Sequence, residues 1–333
     1  MVQEEEQMMS RGKKLLILLA VLAVCVAFYF AARHFFGEED TNSIIEITNI
    51  ESADIESVRW IYDGTELEIK PLDEKTWYCA NDGEFPLDQD IAIEMLNAVS
   101  SVRAVKKVAE NPDELSKYGI NEPSVRIYVT VGGNTTEYDI GDYNEASGYY
   151  YMMYTGDAAL YYVGSSLYDM FAKALLDLAE YEYLPEIEIA DVESIRIENE
   201  NTVRDIIYYP EAKEIESREY HYVDSGDLPA DGETMEKLLS DFIDISWSSC
   251  VSYHVGESEL SSFGLDTPTA KFSIQYKYTV AEDESGSTKL DGNDTLLIGN
   301  AAEDGSRYAM IQGGRCVYTI EKSTAEQYLI FAN

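Results

Sequence analysis

The feature that most constrains this chain is a long, ordered pattern that occurs in it twice. Glu114-Leu115-Ser116-Lys117-Tyr118-Gly119-Ile120-Asn121-Glu122-Pro123 is answered by Glu259-Leu260-Ser261-Ser262-Phe263-Gly264-Leu265-Asp266-Thr267-Pro268, at an offset of 145. Upstream, Pro86-Leu87-Asp88 matches Pro229-Ala230-Asp231, and Met95, Leu96 and Val99 match Leu238, Leu239 and Phe242, all at 143. Glu56-Ser57-Val58-Arg59 matches Glu193-Ser194-Ile195-Arg196 at 137. Downstream, Asp139-Ile140-Gly141 matches Leu297-Ile298-Gly299 at 158, Tyr151 matches Tyr308 at 157, and Tyr162 matches Tyr318 at 156. Offsets that drift by small steps while order is kept are the mark of a tandem duplication. The two copies run over residues 44–182 and 186–333. The step from 145 to 158 puts thirteen extra residues in the second copy, around Ala281 to Asp294, and their composition of Asp, Glu, Gly, Ser and Thr predicts a surface hairpin loop.

Within one copy the dominant period is two. Val58 to Tyr62, a turn at Asp63-Gly64, and Glu66 to Ile69 predict a hairpin, and Trp77 to Cys79 a short strand. Asp88 and Asp231 are suitable N-caps for helices with apolar residues at helical spacing, Ile91, Met95, Leu96 and Val99 in the first copy. Val102 to Val108 reads as another strand. Tyr-Gly-Ile-x-x-Pro is a stop, because glycine accepts positive φ and proline holds its predecessor extended. Val125, Ile127, Val129 and Val131 then alternate with more polar residues, as do Ala270, Phe272, Ile274 and Tyr276. Strands at Thr136–Ile140, Tyr149–Tyr154 and Leu160–Val163 and a helix over 166–179 close the first copy; the second closes on a shorter helix near Thr324 to Ile330. Consecutive strands with short connections predict an α+β fold: two repeats, each a mainly antiparallel sheet with helices on one face.

Ahead of the repeats, Leu15 to Ala32 is free of charges and helix breakers, and Phe35 and Phe36 extend it past Arg33 and His34. Eighteen such residues are near the lower limit for spanning a bilayer. Arg11, Lys13 and Lys14 precede the run, so the positive-inside tendency puts residues 1–14 in the cytoplasm, an anchor at 15–36, and everything from about residue 37 outside. A cleaved signal peptide is the first alternative, disfavoured because Phe28, Tyr29 and Phe30 stand where small residues are wanted. Leu22-Ala23-Val24-Cys25 resembles a lipobox, the second alternative, although Val24 departs from the small residue expected before the cysteine.

The formal net charge of −39, from 63 acidic and 24 basic side chains, leaves no basic patch for phosphate and excludes direct nucleic-acid binding. It also turns anionic lipid away, so contact with the bilayer has to come from residues 15–36. Cys79, Cys250 and Cys316 lack CxxC spacing, which argues against a zinc site or a disulfide framework and favours three unpaired buried thiols, with one disulfide and a free thiol as the alternative.

The capped helix, the Glu-Leu-x-x-(Tyr or Phe)-Gly-(Ile or Leu)-x-x-Pro stop, the alternating strand and the Ile-Gly followed by a Tyr-led strand resemble the bacterial domain of unknown function 4340 family. The resemblance covers nearly all of residues 44–333. It implies an exported, membrane-tethered α+β protein, some relatives being encoded beside gliding-type ABC transporters. It offers no catalytic residues to carry over.

The sequence contains three histidines, His34, His221 and His254, none in a nucleophile motif. Nucleotide fingerprints are absent, and Val131-Gly132-Gly133-Asn134 reads as a hairpin turn. The acidic loops 81–90 and 224–233 lack the alternating ligand spacing of a calcium loop. No catalytic residue, metal ligand or cofactor is therefore assigned. The remaining signal is tyrosine, 26 residues in all, bunched at Tyr149-Tyr150-Tyr151 and Tyr161-Tyr162. Alternation sends Tyr149, Tyr151 and Met153 to one side of a strand and Tyr150, Met152 and Tyr154 to the other, so one set is core. The other set, if open to solvent, is an aromatic platform, with Tyr150, Tyr154, Tyr161 and Tyr162 as its candidate residues. Together these readings predict a non-enzymatic accessory or interaction protein of the cell envelope, working with an ABC-type transporter, with a carbohydrate- or cell-wall-binding module as the alternative.

Overall fold

A computed structural model describes residues 44–199, 202–283 and 286–332. The anchor expected at residues 15–36 and the tail before it lie outside the described residues. Among the described residues, no helix is long and apolar enough to cross a membrane.

In the first repeat the strands are β1 (Ile45–Glu46), β2 (Ile55–Tyr62), β3 (Thr65–Pro71), β4 (Trp77–Cys79), β5 (Arg103–Ala104), β6 (Lys106–Ala109), β7 (Val125–Val131), β8 (Asn134–Asn144), β9 (Tyr149–Tyr154) and β10 (Asp157–Val163). Helix α1 is Gln89–Ser100 and α2 is Ser165–Phe171. The second repeat contributes β11 (Val192–Asn199), β12 (Val203–Ile215), β13 (Arg218–Asp224), β14 (Ser249–Tyr253), β15 (Ala270–Asp283), β16 (Gly286–Ala301), β17 (Arg307–Ile311) and β18 (Cys316–Ile320). Its helices are α3 (Gly232–Ile243), α4 (Glu257–Phe263) and α5 (Lys322–Ala332).

Two eight-stranded sheets result, ordered β4-β3-β2-β7-β8-β9-β10-β6 and β13-β12-β11-β15-β16-β17-β18-β14. Strand for strand the orders are the same, which is the duplication expressed as topology. Each paired neighbour is antiparallel. Local chemistry sets the hairpins. Asp63 (φ 47°) and Gly64 (φ 73°) turn β2 into β3, and Gly132 and Gly133, at φ 55° and 74°, turn β7 into β8, the double positive φ of a two-residue turn.

Asp88 caps α1 by accepting the backbone N–H groups of Asp90 and Ile91, and Asp231 caps α3 by accepting that of Thr234. Each helix lays its apolar stripe into the core: Ala92, Met95, Leu96 and Val99 from α1, Met235, Leu238, Leu239 and Phe242 from α3. These residues join alternate strand positions such as Trp60, Ile127, Ile140, Phe272 and Ile298 in one cluster that runs across both repeats. The remaining strand positions face the other way. In the second repeat that outer face has a small core of its own, Leu265, Leu297, Met310 and Val317, against which Leu260 and Phe263 pack. Helix α4 therefore lies on the side opposite the main core.

Several local expectations change. The helix expected over 166–179 stops at Phe171 and resumes as a single 3-10 turn, Leu175–Leu178, because the Trp60 indole N–H takes the Lys173 carbonyl and the Asp177 carboxylate takes the Ala174 N–H. The second closing helix is the longer one, 11 residues against 7. Where the structure describes it, the insertion of the second repeat is not a loop but extra strand, with β15 and β16 paired from Ala270–Ile298 out to Asp283–Gly286.

Register also corrects one repeat match by a residue. Ile140 pairs with Met152, and Met152 with Tyr161; Ile298 pairs with Ala309, and Ala309 with Tyr318. The partner of Tyr318 in the first repeat is thus Tyr161, and Tyr162 corresponds to Thr319. A shift of one residue exchanges the two faces of a strand, so side-chain type alone misled here.

Candidate functional site

The four tyrosines expected on one platform do not share a face. Tyr161 is 3% exposed; burial and its hydrogen bond to Asp157 push its phenol up to about 12. Tyr150 and Tyr154 are half-buried against the main core, Tyr150 stacked on Tyr168 of α2 at 4.4 Å and Tyr154 stacked on Tyr138 at 6.2 Å. Among the four, Tyr162 alone lies on the outer face. Its companions there are Tyr149, Tyr151 and Tyr118, which the platform assignment passed over. Met152, fully buried, identifies the core-facing set of β9 and leaves Tyr149 and Tyr151 outside.

The Tyr-Gly-Ile stop builds this outer face. Leu115–Tyr118 forms a 3-10 turn that ends on Gly119 at φ 70°, and α4 ends on Gly264 at φ 69°. Each turn is pressed onto a strand glycine: a Cβ on Gly141 would overlap the Tyr118 carbonyl oxygen, and one on Gly299 that of Phe263. The turn then delivers its aromatic ring onto the neighbouring strand. Tyr118 meets Tyr151 edge-on at 4.9 Å, and Phe263 meets Tyr308 in the same way at 5.0 Å. This much is common to both repeats and is structural.

What differs is the continuation. In the first repeat the rings run on from Tyr151 to Tyr162 at 5.0 Å and from Tyr162 to Tyr149 at 5.9 Å, all partly exposed. The Asn144 amide donates to the hydroxyls of Tyr151 (2.5 Å) and Tyr162 (2.9 Å), tying the ladder together. In the second repeat Thr319 replaces Tyr162, is buried, and shares a 2.8 Å hydrogen bond with Ser249. Among the described residues, the first repeat alone thus presents four adjacent tyrosine rings on its outer face.

A second concentration of polar chemistry lies where the repeats meet. Glu182, in the connection between them, donates its N–H to the Tyr318 hydroxyl (2.9 Å) and accepts the Trp247 indole N–H at its carbonyl (2.7 Å). Its Oε1 accepts the Arg315 N–H at 2.7 Å, while Oε2 is buried without a hydrogen-bond partner. Nearby, the Tyr253 hydroxyl donates to Asp82 at 2.6 Å, which holds the Asp82 carboxyl below its ordinary range and lifts Tyr253 to about 12. Phe85 packs edge-on to the Tyr253 ring at 5.0 Å. The acidic loop containing Asp82 and Glu84 therefore serves as a contact between repeats. Trp247, Glu182 and Tyr253 escaped sequence reasoning because none lies in an echoed motif.

His221 and His254 lie at the two opposite edges of the second sheet, the first within β13 and the second just after β14. His221 contacts the Tyr209 carbonyl at 2.8 Å and His254 stands 3.4 Å from Glu84. Among the described residues, no three His, Cys, Asp or Glu side chains converge in a way that could hold a metal ion. A cleft of about 440 Å³ between α1 and α2 has a single carboxylate, Glu94, in its wall.

Comparison with curated proteins and with solved structures returns no match. A family model does match, described as Domain of unknown function (DUF4340), over residues 77–217 and 221–331. The division between its two segments falls in the β12–β13 hairpin, later than the junction of the sheets. Two adjacent matches, over a chain whose two sheets repeat one strand order, establish that this chain belongs to the DUF4340 family in two tandem copies.

Proposed function

We propose that the chain is a membrane-anchored, extracytoplasmic interaction module of the cell envelope, without catalytic activity of its own. Residues 15–36 hold it in the bilayer, and two sheets, each backed by its longer helices on one face, carry the binding surface outside. The observation that supports this reading is the ladder Tyr118–Tyr151–Tyr162–Tyr149. It continues a structural aromatic pair with two further partly exposed rings in one repeat only. Large, stiff amphipathic rings supply contact area at low entropic cost, which suits a docking face. The partner in this reading is a membrane component of an ABC-type transporter.

Side-by-side rings with an amide among them also suit stacking on sugars, so a cell-wall carbohydrate is the second reading. One experiment separates them. A photo-crosslinking residue at position 149 of the full chain, irradiated in intact cells, is expected to recover a transporter membrane subunit. The product should vanish in the Tyr151→Ala/Tyr162→Ala variant. Labelled wall polymer in its place carries the second reading, and an unchanged product in the variant overturns the tyrosine surface altogether.

A further inference from the structure

We propose that Cys250 and Cys316 form a disulfide that fastens β14, an edge strand of the second sheet, to β18 beneath the connection between the repeats. The two strands are antiparallel neighbours, with Cys250 opposite Tyr318 and Cys316 opposite Tyr253. Both side chains belong to the main core cluster, at 6% and 1% exposure, as free thiols close enough to shift one another's ionisation, the Cys250 thiol donating to the Ser252 carbonyl at 3.6 Å. Diagonal neighbours in a regular ladder stand about 7–8 Å apart, a little beyond the roughly 4.4–6.8 Å between the Cα atoms of a disulfide. The register shift between Cys250 and Ser252, on a strand with one neighbour, gives β14 the freedom to close that gap.

The pair is also chemically unequal. The nearness of Cys250 draws the Cys316 thiol down, while the nearness of Cys316 and burial push the Cys250 thiol up. Cys316 is accordingly the attacking sulfur. As thiolate it attacks one sulfur of a disulfide donor R–S–S–R, forming a mixed disulfide and releasing R–S⁻. Cys250 then loses its proton and attacks the Cys316 sulfur, expelling the second R–S⁻. Two thiols lose two protons and two electrons, and the donor leaves as two R–SH. Both sulfurs are shielded once Tyr181 stacks edge-on to Tyr318 at 5.3 Å, so exchange precedes docking of the connection, and docking then protects the bond. Closing a loop of 65 intervening residues restricts the unfolded chain and stabilises the second repeat. That a donor is at hand rests on the extracytoplasmic reading above; the pairing itself does not.

The test uses the full chain in detergent, equilibrated in glutathione buffers from reducing to oxidising and alkylated after denaturation. In the oxidising buffer, two of the four cysteines should resist alkylation, and peptide mapping should join the Cys250 and Cys316 peptides. Cys250→Ser and Cys316→Ser should each keep every remaining thiol reactive, and the oxidised wild type should melt higher than the reduced. Four reactive thiols in every buffer, or a bridge through Cys79 or Cys25, overturns the pairing. Acid-trapped cells report the compartment: a pair that closes in detergent but is reduced in cells overturns the extracytoplasmic reading and leaves the pairing standing.

Discussion

The carbonyl oxygen of Tyr118 rests on the α-carbon of Gly141, where a side chain would otherwise be, and the same contact joins Phe263 to Gly299 in the second repeat. It is the physical reason that an Ile-Gly echo and a Tyr/Phe-Gly echo occur together in the sequence. Gly141→Ala and Gly299→Ala should each cost about 2–3 kcal/mol, within the roughly 1–3 kcal/mol for forcing an extra carbon into a packed site. The neighbour that must give way is backbone, which puts the cost toward the upper end. Chemical denaturation of the single variants measures it, and losses under about 0.5 kcal/mol, the level of a neutral surface change, would show the turn to be loosely seated.

The β12–β13 hairpin turns on two non-glycine residues, Glu216 and Ser217, at φ 48° and 66°, whereas the β2–β3 turn places a glycine, Gly64, at its second position. An L-residue in the left-handed region is disfavoured by about 1–2 kcal/mol relative to glycine. Ser217→Gly should therefore raise the stability of the second repeat by about 1 kcal/mol, read as a higher melting temperature with unchanged circular dichroism. A lower melting temperature would contradict the turn geometry.

Much of this fold was legible in the sequence because it depends on neighbours along the chain. Caps at Asp88 and Asp231, the alternation of Val125 to Val131 and the paired glycine stops each follow from local chemistry. Two copies of one pattern then imply two sheets of one strand order. What escaped depends on faces and distant contacts. Tyr162 and Tyr161 are equally good matches for Tyr318 as letters, and only strand pairing shows that Tyr161 shares its face. Of the four platform candidates, Tyr150, Tyr154, Tyr161 and Tyr162, the first three lie on the core side, and no spacing reveals that Tyr168 of α2 stacks on Tyr150 or that Tyr138 stacks on Tyr154. The β15–β16 extension has loop composition, yet pairing across the hairpin satisfies its backbone groups and makes it strand.

Contact between Tyr253 and Asp82 should make the junction sensitive to acid. Hydrogen bonds from Tyr253 and the Glu84 backbone hold the Asp82 carboxyl below its ordinary 3.8. A carboxyl depressed in the folded state contributes stability that is complete above its unfolded value and is lost as pH falls through the folded one. Tyr253→Phe should thus lower the melting temperature at pH 7, and the gap from wild type should shrink as pH drops below about 4, where the carboxyl of the unfolded chain begins to take up its proton, and close once pH has fallen through the lower value of folded Asp82. A gap constant from pH 7 to pH 3 would mean that the hydroxyl contributes through packing alone.

Because one hydrophobic cluster spans both repeats and Glu182 is bonded on three sides by the second, the two sheets should unfold together. Trp247→Phe keeps a ring to stack on Tyr318, 4.4 Å away, but leaves the Glu182 carbonyl without its indole donor. Tyr318→Phe leaves the Glu182 N–H without its acceptor. Each deletion leaves a partly buried backbone group without its partner, at a cost of about 1 kcal/mol, the low end of the range for a fully buried group. The two act on one peptide segment, so their effects should exceed or fall short of additivity, as coupled neighbours do. In calorimetry the wild type should give one transition, and the double variant two, the second repeat melting first because it loses its cover over Tyr318. A single transition in the double variant, merely shifted, would show that the apolar cluster alone couples the repeats, and two transitions in the wild type would show that the junction does not couple them at all.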